Sequence, residues 1–174
     1  EGKYRPGHFN GVVTIVDRLL KAVRPDALYL GQKDYQQFMV IQQLVAQRPE
    51  LKVEIRLCSI IRENDGLAMS SRNARLKPEE REEAPVIFQT LHKAKEDLGM
   101  KPVSEIIAES VEHLLQNPAI EKVDYFEIVN AENLQTINDP AEAEVVIALV
   151  AVNTLTVRLI DNLVLKGALP WMAN

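Results

Sequence analysis

A chain of 174 residues with a formal charge of −5, 47% hydrophobic and 26% charged side chains can bury the core of one domain or two small ones, which excludes the disordered and fibrous classes. The acidic balance argues against broad nucleic-acid binding, while a local basic pocket for a small anion remains open. Cys58 is the only cysteine, which rules out an intrachain disulfide and a Cys-rich metal site, and the apolar run 144–152 is too short to span a bilayer, so a cytoplasmic protein without a membrane partner is expected.

The chain opens at Glu1 in a charged stretch rather than at Met, and reads as a piece of something longer. Apolar residues at Val12, Val13, Ile15, Val16, Leu19, Leu20 and Val23 recur by three and four, predicting a helix with one buried stripe, ended by Arg24-Pro25. Ala27 to Leu30, closed by Gly31, predicts a parallel strand buried on both faces. A helix over 34–47 follows, with Asp34 as its cap and Phe38, Ile41 and Val45 inward, and then a strand over 53–61 in which Cys58 is a small buried hydrophobe. Strand, helix and strand with short links form a βαβ unit, whose ligands lie beyond the carboxyl ends of the strands. A βαβ piece alone leaves strand edge and apolar face uncovered, so further chain should complete it.

Past Asn73 the pattern changes. Pro78-Glu79-Glu80 opens a helix that Pro85 interrupts and Gly99 stops. Another helix covers 103–116. Strands are expected over 123–129, 145–152 and 155–165, the last two forming a hairpin that turns at Asn153-Thr154. The expected fold is α/β: a partial Rossmann-like parallel sheet over 1–61, then a small α+β domain with an antiparallel sheet over 62–174.

Two loops carry chemistry. Gly31-Gln32-Lys33-Asp34 leaves the first strand, where Lys can neutralise phosphate, Asp can accept from ribose hydroxyls, and Gln36 and Gln37 can bind a polar substrate. On residue types alone a solvated loop with a helix cap is the preferred reading. Asp65-Gly66-Leu67-Ala68-Met69-Ser70-Ser71-Arg72-Asn73 places two hydroxyls and a guanidinium after a turn, a set of donors suited to phosphate oxygens. A Ser-Ser-Arg triplet is common in surface loops; its place at the next strand end, facing the same predicted crevice, gives it weight. His8 is read as ordering a loop beside Phe9, and His92 and His113 as facing solvent.

These two segments, with Arg5-Pro6-Gly7-His8-Phe9 before them and Leu159-Ile160-Asp161-Asn162 after them, closely resemble the pantoate–β-alanine ligase (pantothenate synthetase) family along the length of the chain. That family belongs to the nucleotidyltransferase group, and Met69 to Asn73 resembles its KMSKS loop. The resemblance implies ligation of pantoate and β-alanine with ATP through a pantoyl adenylate. It implies Lys33, Ser70, Ser71 and Arg72 on the phosphates, Gly31 and Asp34 on the ribose, the backbones of Ile61 and Met69 about adenine, and Gln37 on pantoate. It further implies Mg²⁺ carried on the phosphates rather than in a protein cage, and a homodimer. Gln32 stands where the family usually has Glu, and Asn153 where it has the Gly of a hairpin, which Asn can replace in a left-handed conformation. The family's His-x-Gly-His motif is not in these 174 residues, so adenylate formation by this chain alone is not expected. A nucleotidylyltransferase of the same group and a non-catalytic folded piece are the alternatives.

Overall fold

The three-and-four spacing at the start of the chain is realised as α1 (His8–Val23), which begins at His8 itself. The helix buries Leu20 and leaves Ile15, Leu19 and Val23 exposed. It ends at Arg24, which turns into the left-handed region (φ 50) and bonds back to Leu20 O before Pro25. The coordinates are a computed structural model describing residues 1–172; the last two residues of the expected second domain lie outside the described residues.

β1 (Ala27–Gly31) and β2 (Glu54–Cys58) pair in parallel, with Leu30 opposite Leu57 and Gly31 opposite Cys58. The expected full burial of β1 is not found, since Tyr29 is 57% exposed. Among the described residues the sheet has these two strands, and the exposed Tyr29 is met by Arg56 of β2, whose Nη1 donates to its hydroxyl at 2.9 Å. β2 also stops short of the predicted end, and Cys58 is half-buried rather than buried. Between the strands runs α2 (Tyr35–Ala46), entered by a short 3₁₀ turn at Gln32–Asp34. Its inward residues are Tyr35, Phe38, Ile41 and Leu44; Val45 lies one position round and is half-buried. Asp34 holds the cap position, but its side chain makes no cap bond because the 3₁₀ turn already takes the chain into the helix. The chain returns late to this unit: Leu57 N donates to Trp171 O at 3.0 Å, and the Trp171 ring lies 5.4 Å from Phe38.

Glu1–Ser59, with the chain from Pro170 onward, thus forms one compact unit, and Ile60–Leu169 forms a second. In the second, Pro85 divides the predicted helix into α3 (Pro78–Glu83) and α4 (Val86–Asp97), and α5 (Val103–Gln116) follows. β3 (Ile120–Asn130), β4 (Val146–Thr154) and β5 (Arg158–Lys166) make an antiparallel sheet in the order β3-β4-β5. Val146, Ala148, Val150 and Val152 of the central strand join Ile87, Leu91, Ile106 and Leu114 of the helices in one core.

The β4–β5 turn lies beyond the predicted site. Asn153 still pairs with Arg158, and Thr154 N donates to Val157 O at 2.9 Å across the turn. Thr154 Oγ1 accepts from Thr156 N and Val157 N, so a threonine hydroxyl closes the turn without a left-handed residue. Asn153 is therefore a strand residue, and its amide donates to Asp124 Oδ1 at 3.0 Å.

Candidate active site

In the first unit the segment after β1 is polar and tightly turned. Gln32 is buried, Lys33 and Gln37 are half-buried, and Gly31 and Asp34 are exposed. His8 lies 3.2 Å from the Arg5 guanidinium and stacks against Phe9 at 5.3 Å between ring centres. Burial first, and then the Arg5 charge, hold its pKa below the ordinary value, so near neutral pH the ring is an uncharged donor and acceptor. His92 and His113 are exposed, as their polar helix neighbours imply.

The second unit opens with a hairpin not visible as strands in the sequence. Glu63 N donates to Leu67 O at 2.8 Å and Met69 N to Ile61 O at 2.9 Å, while Arg62 and Ala68 face each other between them. Opposed residues share a face and successive ones alternate. Arg62 and Ala68 therefore turn inward, and Ile61 and Met69 stand together outward, 71% and 50% exposed. The turn is fixed by Asp65, whose carboxylate accepts from Leu67 N at 3.1 Å and from Arg81 of α3 at 2.5 Å. The Arg81 bond holds that carboxyl below its ordinary pKa, against a smaller opposing effect of burial.

Out of this hairpin runs the donor loop. Ser70 Oγ accepts from Arg72 N at 3.2 Å, and Ser70 O accepts from Asn73 N at 3.0 Å, folding the loop into one turn before the short 3₁₀ segment Asn73–Arg75. Asn73 Nδ2 donates back to Ala68 O at 3.1 Å. Ser71 is exposed, and Arg72 is half-buried with Nη1 on Arg158 O at 3.1 Å. Arg158 in turn donates to Asp124 Oδ2 at 2.7 Å, and Lys122 lies 2.9 Å from the same carboxylate. Burial of Asp124 works against its ionisation, but the bonds from Arg158 and Lys122 outweigh it and keep its pKa low. The loop thus offers two hydroxyls and a guanidinium with donors to spare beyond its bond to Arg158 O, on a scaffold rich in cations.

Lys33, Asp34, Gly31 and Gln37 gather in the first unit, and Ile61, Met69, Ser70, Ser71 and Arg72 in the second. Asp124, Arg158 and Arg62 take part in holding the second set and carry no signal in the sequence, because their partners are remote; Arg62 and Asp161 are separated by 99 positions. No group of three His, Cys, Asp or Glu side chains able to hold a metal ion occurs among the described residues, and no helix among them is long and apolar enough to cross a membrane.

The chain thus comprises a parallel α/β unit and an α+β unit that carries the Ser70-Ser71-Arg72 loop. The chain belongs to the pantoate-beta-alanine ligase family, whose profile matches residues 1–164. It is similar to the pantothenate synthetase of Caldicellulosiruptor bescii, 47% identical over 168 residues that are 95% of this chain and 58% of that protein. The pantothenate synthetase of Bacteroides fragilis is 43% identical over 166 residues, with the same coverage of both chains. Among solved structures, pantothenate synthetase from Thermus thermophilus superposes with a TM-score of 0.88 at 40% identity, over 95% of this chain and 59% of that one. The pantoate-beta-alanine ligase of Francisella tularensis, solved with beta-gamma ATP and beta-alanine, gives 0.69 at 32% identity, over 96% and 54%. The chain spans about 58% of the length of the curated relatives it matches.

Proposed function

We propose that this chain supplies phosphate- and nucleotide-handling groups for the ATP-dependent joining of pantoate and β-alanine. The observation that carries this reading is the donor loop: Ser70, Ser71 and Arg72, mounted on a hairpin that presents Ile61 and Met69, in a chain whose match to the ligase family covers residues 1–164. In the first step a pantoate carboxylate oxygen attacks the α-phosphorus of ATP. A new P–O bond forms, the bond to the bridging oxygen breaks, and pyrophosphate leaves with the electron pair. In the second step the amine of β-alanine attacks the acyl carbon, the amide forms, AMP departs and the nitrogen loses a proton. No protein nucleophile is needed, so rate comes from placement and from stabilising charge on the leaving pyrophosphate.

Lys33 in the first unit and Ser70, Ser71 and Arg72 in the second would neutralise that charge. Asp34 and Gly31 would meet the ribose, and Gln37 the pantoate hydroxyl and carboxylate. The backbones of Ile61 and Met69 would bracket the adenine, beside their two exposed side chains. Mg²⁺ would enter on the ATP phosphates, consistent with a donor set of amines, hydroxyls and amides that suits phosphate oxygens better than a bare cation. A homodimer and a cytoplasmic location belong to the same reading.

The test is release of AMP that requires both pantoate and β-alanine, together with pantoate-dependent exchange of pyrophosphate into ATP. Arg72→Ala should lower kcat/KM for ATP by about 10²–10³-fold, the usual loss for a donor aimed at transition-state charge. Activity within about threefold of the native protein would overturn the role given to Arg72. These 174 residues made alone, without a His-x-Gly-His motif, should support exchange far below a full-length family member; equal rates would show that this chain needs no further phosphate ligands.

A further inference from the structure

Arg62 has no part in the ligand set proposed above, yet its guanidinium is more fully engaged than Arg72's. Nη1 donates to Asp161 Oδ2 at 2.6 Å and to Gly66 O at 3.0 Å, and Nη2 donates to Asp161 Oδ1 at 3.1 Å and to Asn162 O at 3.2 Å. The guanidinium carbon lies 4.1 Å from the centre of the Phe88 ring. Asp161 is buried, so this bidentate pair is shielded from water on one side by the aromatic face and on the other by β5. Gly66 closes the arrangement: it sits at φ +93, and a Cβ there would collide with Phe88 Cδ1. One side chain therefore joins the hairpin turn, β5 and α4, and only a planar fork with several donors can do so; a lysine could reach one partner at a time.

The hairpin strand opposite Arg62 runs from Ala68 directly into Met69 and Ser70. Beyond it, Arg72 is fastened to Arg158 O, at the start of the same β5 strand that carries Asp161. The donor loop is thus held to one strand at both ends, by Arg62 before it and by its own guanidinium after it. We propose that Arg62 is a positioning residue: by locking the 61–69 hairpin to Asp161 and Phe88 it sets where Ser70, Ser71 and Arg72 stand on the second unit. Resting on the ligase reading, it acts on kcat more than on the KM for ATP. Donors that meet charge only as it builds lose most from a small displacement, while ground-state binding is shared among many contacts.

Arg62→Lys, which keeps the charge and removes the fork, tests this in a full-length protein that carries these residues. Its kcat should fall about tenfold or more with the KM for ATP changed less than about threefold, and Asp161→Asn should repeat the pattern. The double variant should be no worse than the poorer single one, as expected for two groups acting as a unit. Phe88→Leu, which leaves the ion pair whole, serves should Arg62→Lys fail to fold. Independently of turnover, amide exchange at Glu63 and Met69 should quicken in a folded Arg62→Lys protein. A native-like kcat in that protein, a rise in KM alone, or unchanged exchange at both amides overturns the proposal. A full-length protein carrying these residues that releases no AMP overturns the ligase reading and the kinetic effect with it, and amide exchange then judges the clamp by itself.

Discussion

At Glu80 a carboxylate with the look of a helix-start residue links two elements. In sequence it is one acid of a first turn, next to Pro78 and Glu79. In the structure it is buried, accepts from Lys77 N at 2.9 Å, and also takes Thr156 N at 3.0 Å and Thr156 Oγ1 at 2.7 Å. Burial alone would raise its pKa; these hydrogen bonds overcome it and bring the value to about 2 from an ordinary 4.5. With the folded value the lower one, the unfolded chain binds more protons between the two. The stabilisation is thus complete above about 4.5 and is lost as pH falls toward 2. Glu80→Gln keeps the shape and one acceptor, and is expected to cost about 1–3 kcal/mol at neutral pH. The cost should shrink as the native protein is acidified through that window, which urea unfolding at a series of pH values will read; a constant cost from neutral pH down to about 2.5 would rule this account out. Residue identity was enough to single out Ser70, Ser71 and Arg72, whose chemistry lies in adjacent letters. It could not reveal Glu80, Asp124 or Arg62, whose roles arise only when β4 and β5 fold back.

Elements built on periodicity were legible and turns less so. α5 and the break at Pro85 follow from spacing and from proline stereochemistry, and the structure has both. The β4–β5 turn falls later than expected because Asn-Thr is a turn signal in local terms, whereas here a threonine hydroxyl closes the turn and the asparagine stays paired in the sheet. That difference gives Asn153 a test. A left-handed turn residue would accept glycine without loss, but a strand residue whose amide bonds Asp124 at 3.0 Å would not. Asn153→Gly should therefore lower stability by about 1–2 kcal/mol, from the lost hydrogen bond and the extra freedom of the unfolded glycine. An unchanged or higher urea midpoint would return Asn153 to the turn.

Over the whole molecule, the two units differ in how much apolar surface they bury. The second has a continuous core that runs from Leu67 through α4 and α5 to Leu165. The first relies chiefly on Leu20, Tyr35, Phe38, Ile41, Leu44 and Leu57, while Ile15, Leu19, Val23 and Tyr29 remain exposed. Chain order concealed one feature of this division: residues from Pro170 on return to the first unit, a long-range pairing that no local pattern announces. It is a useful one, because Trp171 is the only tryptophan and packs on Phe38. Its fluorescence therefore reports the first unit alone, while far-UV circular dichroism reports both, since α1 and α2 lie in the first unit and α3, α4 and α5 in the second. Apolar burial is the main favourable term in folding, and a stretch of about sixty residues with an incomplete core is marginal by itself. In urea, the dichroism should fall in two steps, the earlier coinciding with the Trp171 transition, and Phe38→Ala should move that earlier step by about 3–5 kcal/mol with little effect on the later one. Coincident transitions that shift together in Phe38→Ala would mean that the two cores unfold as one cooperative body.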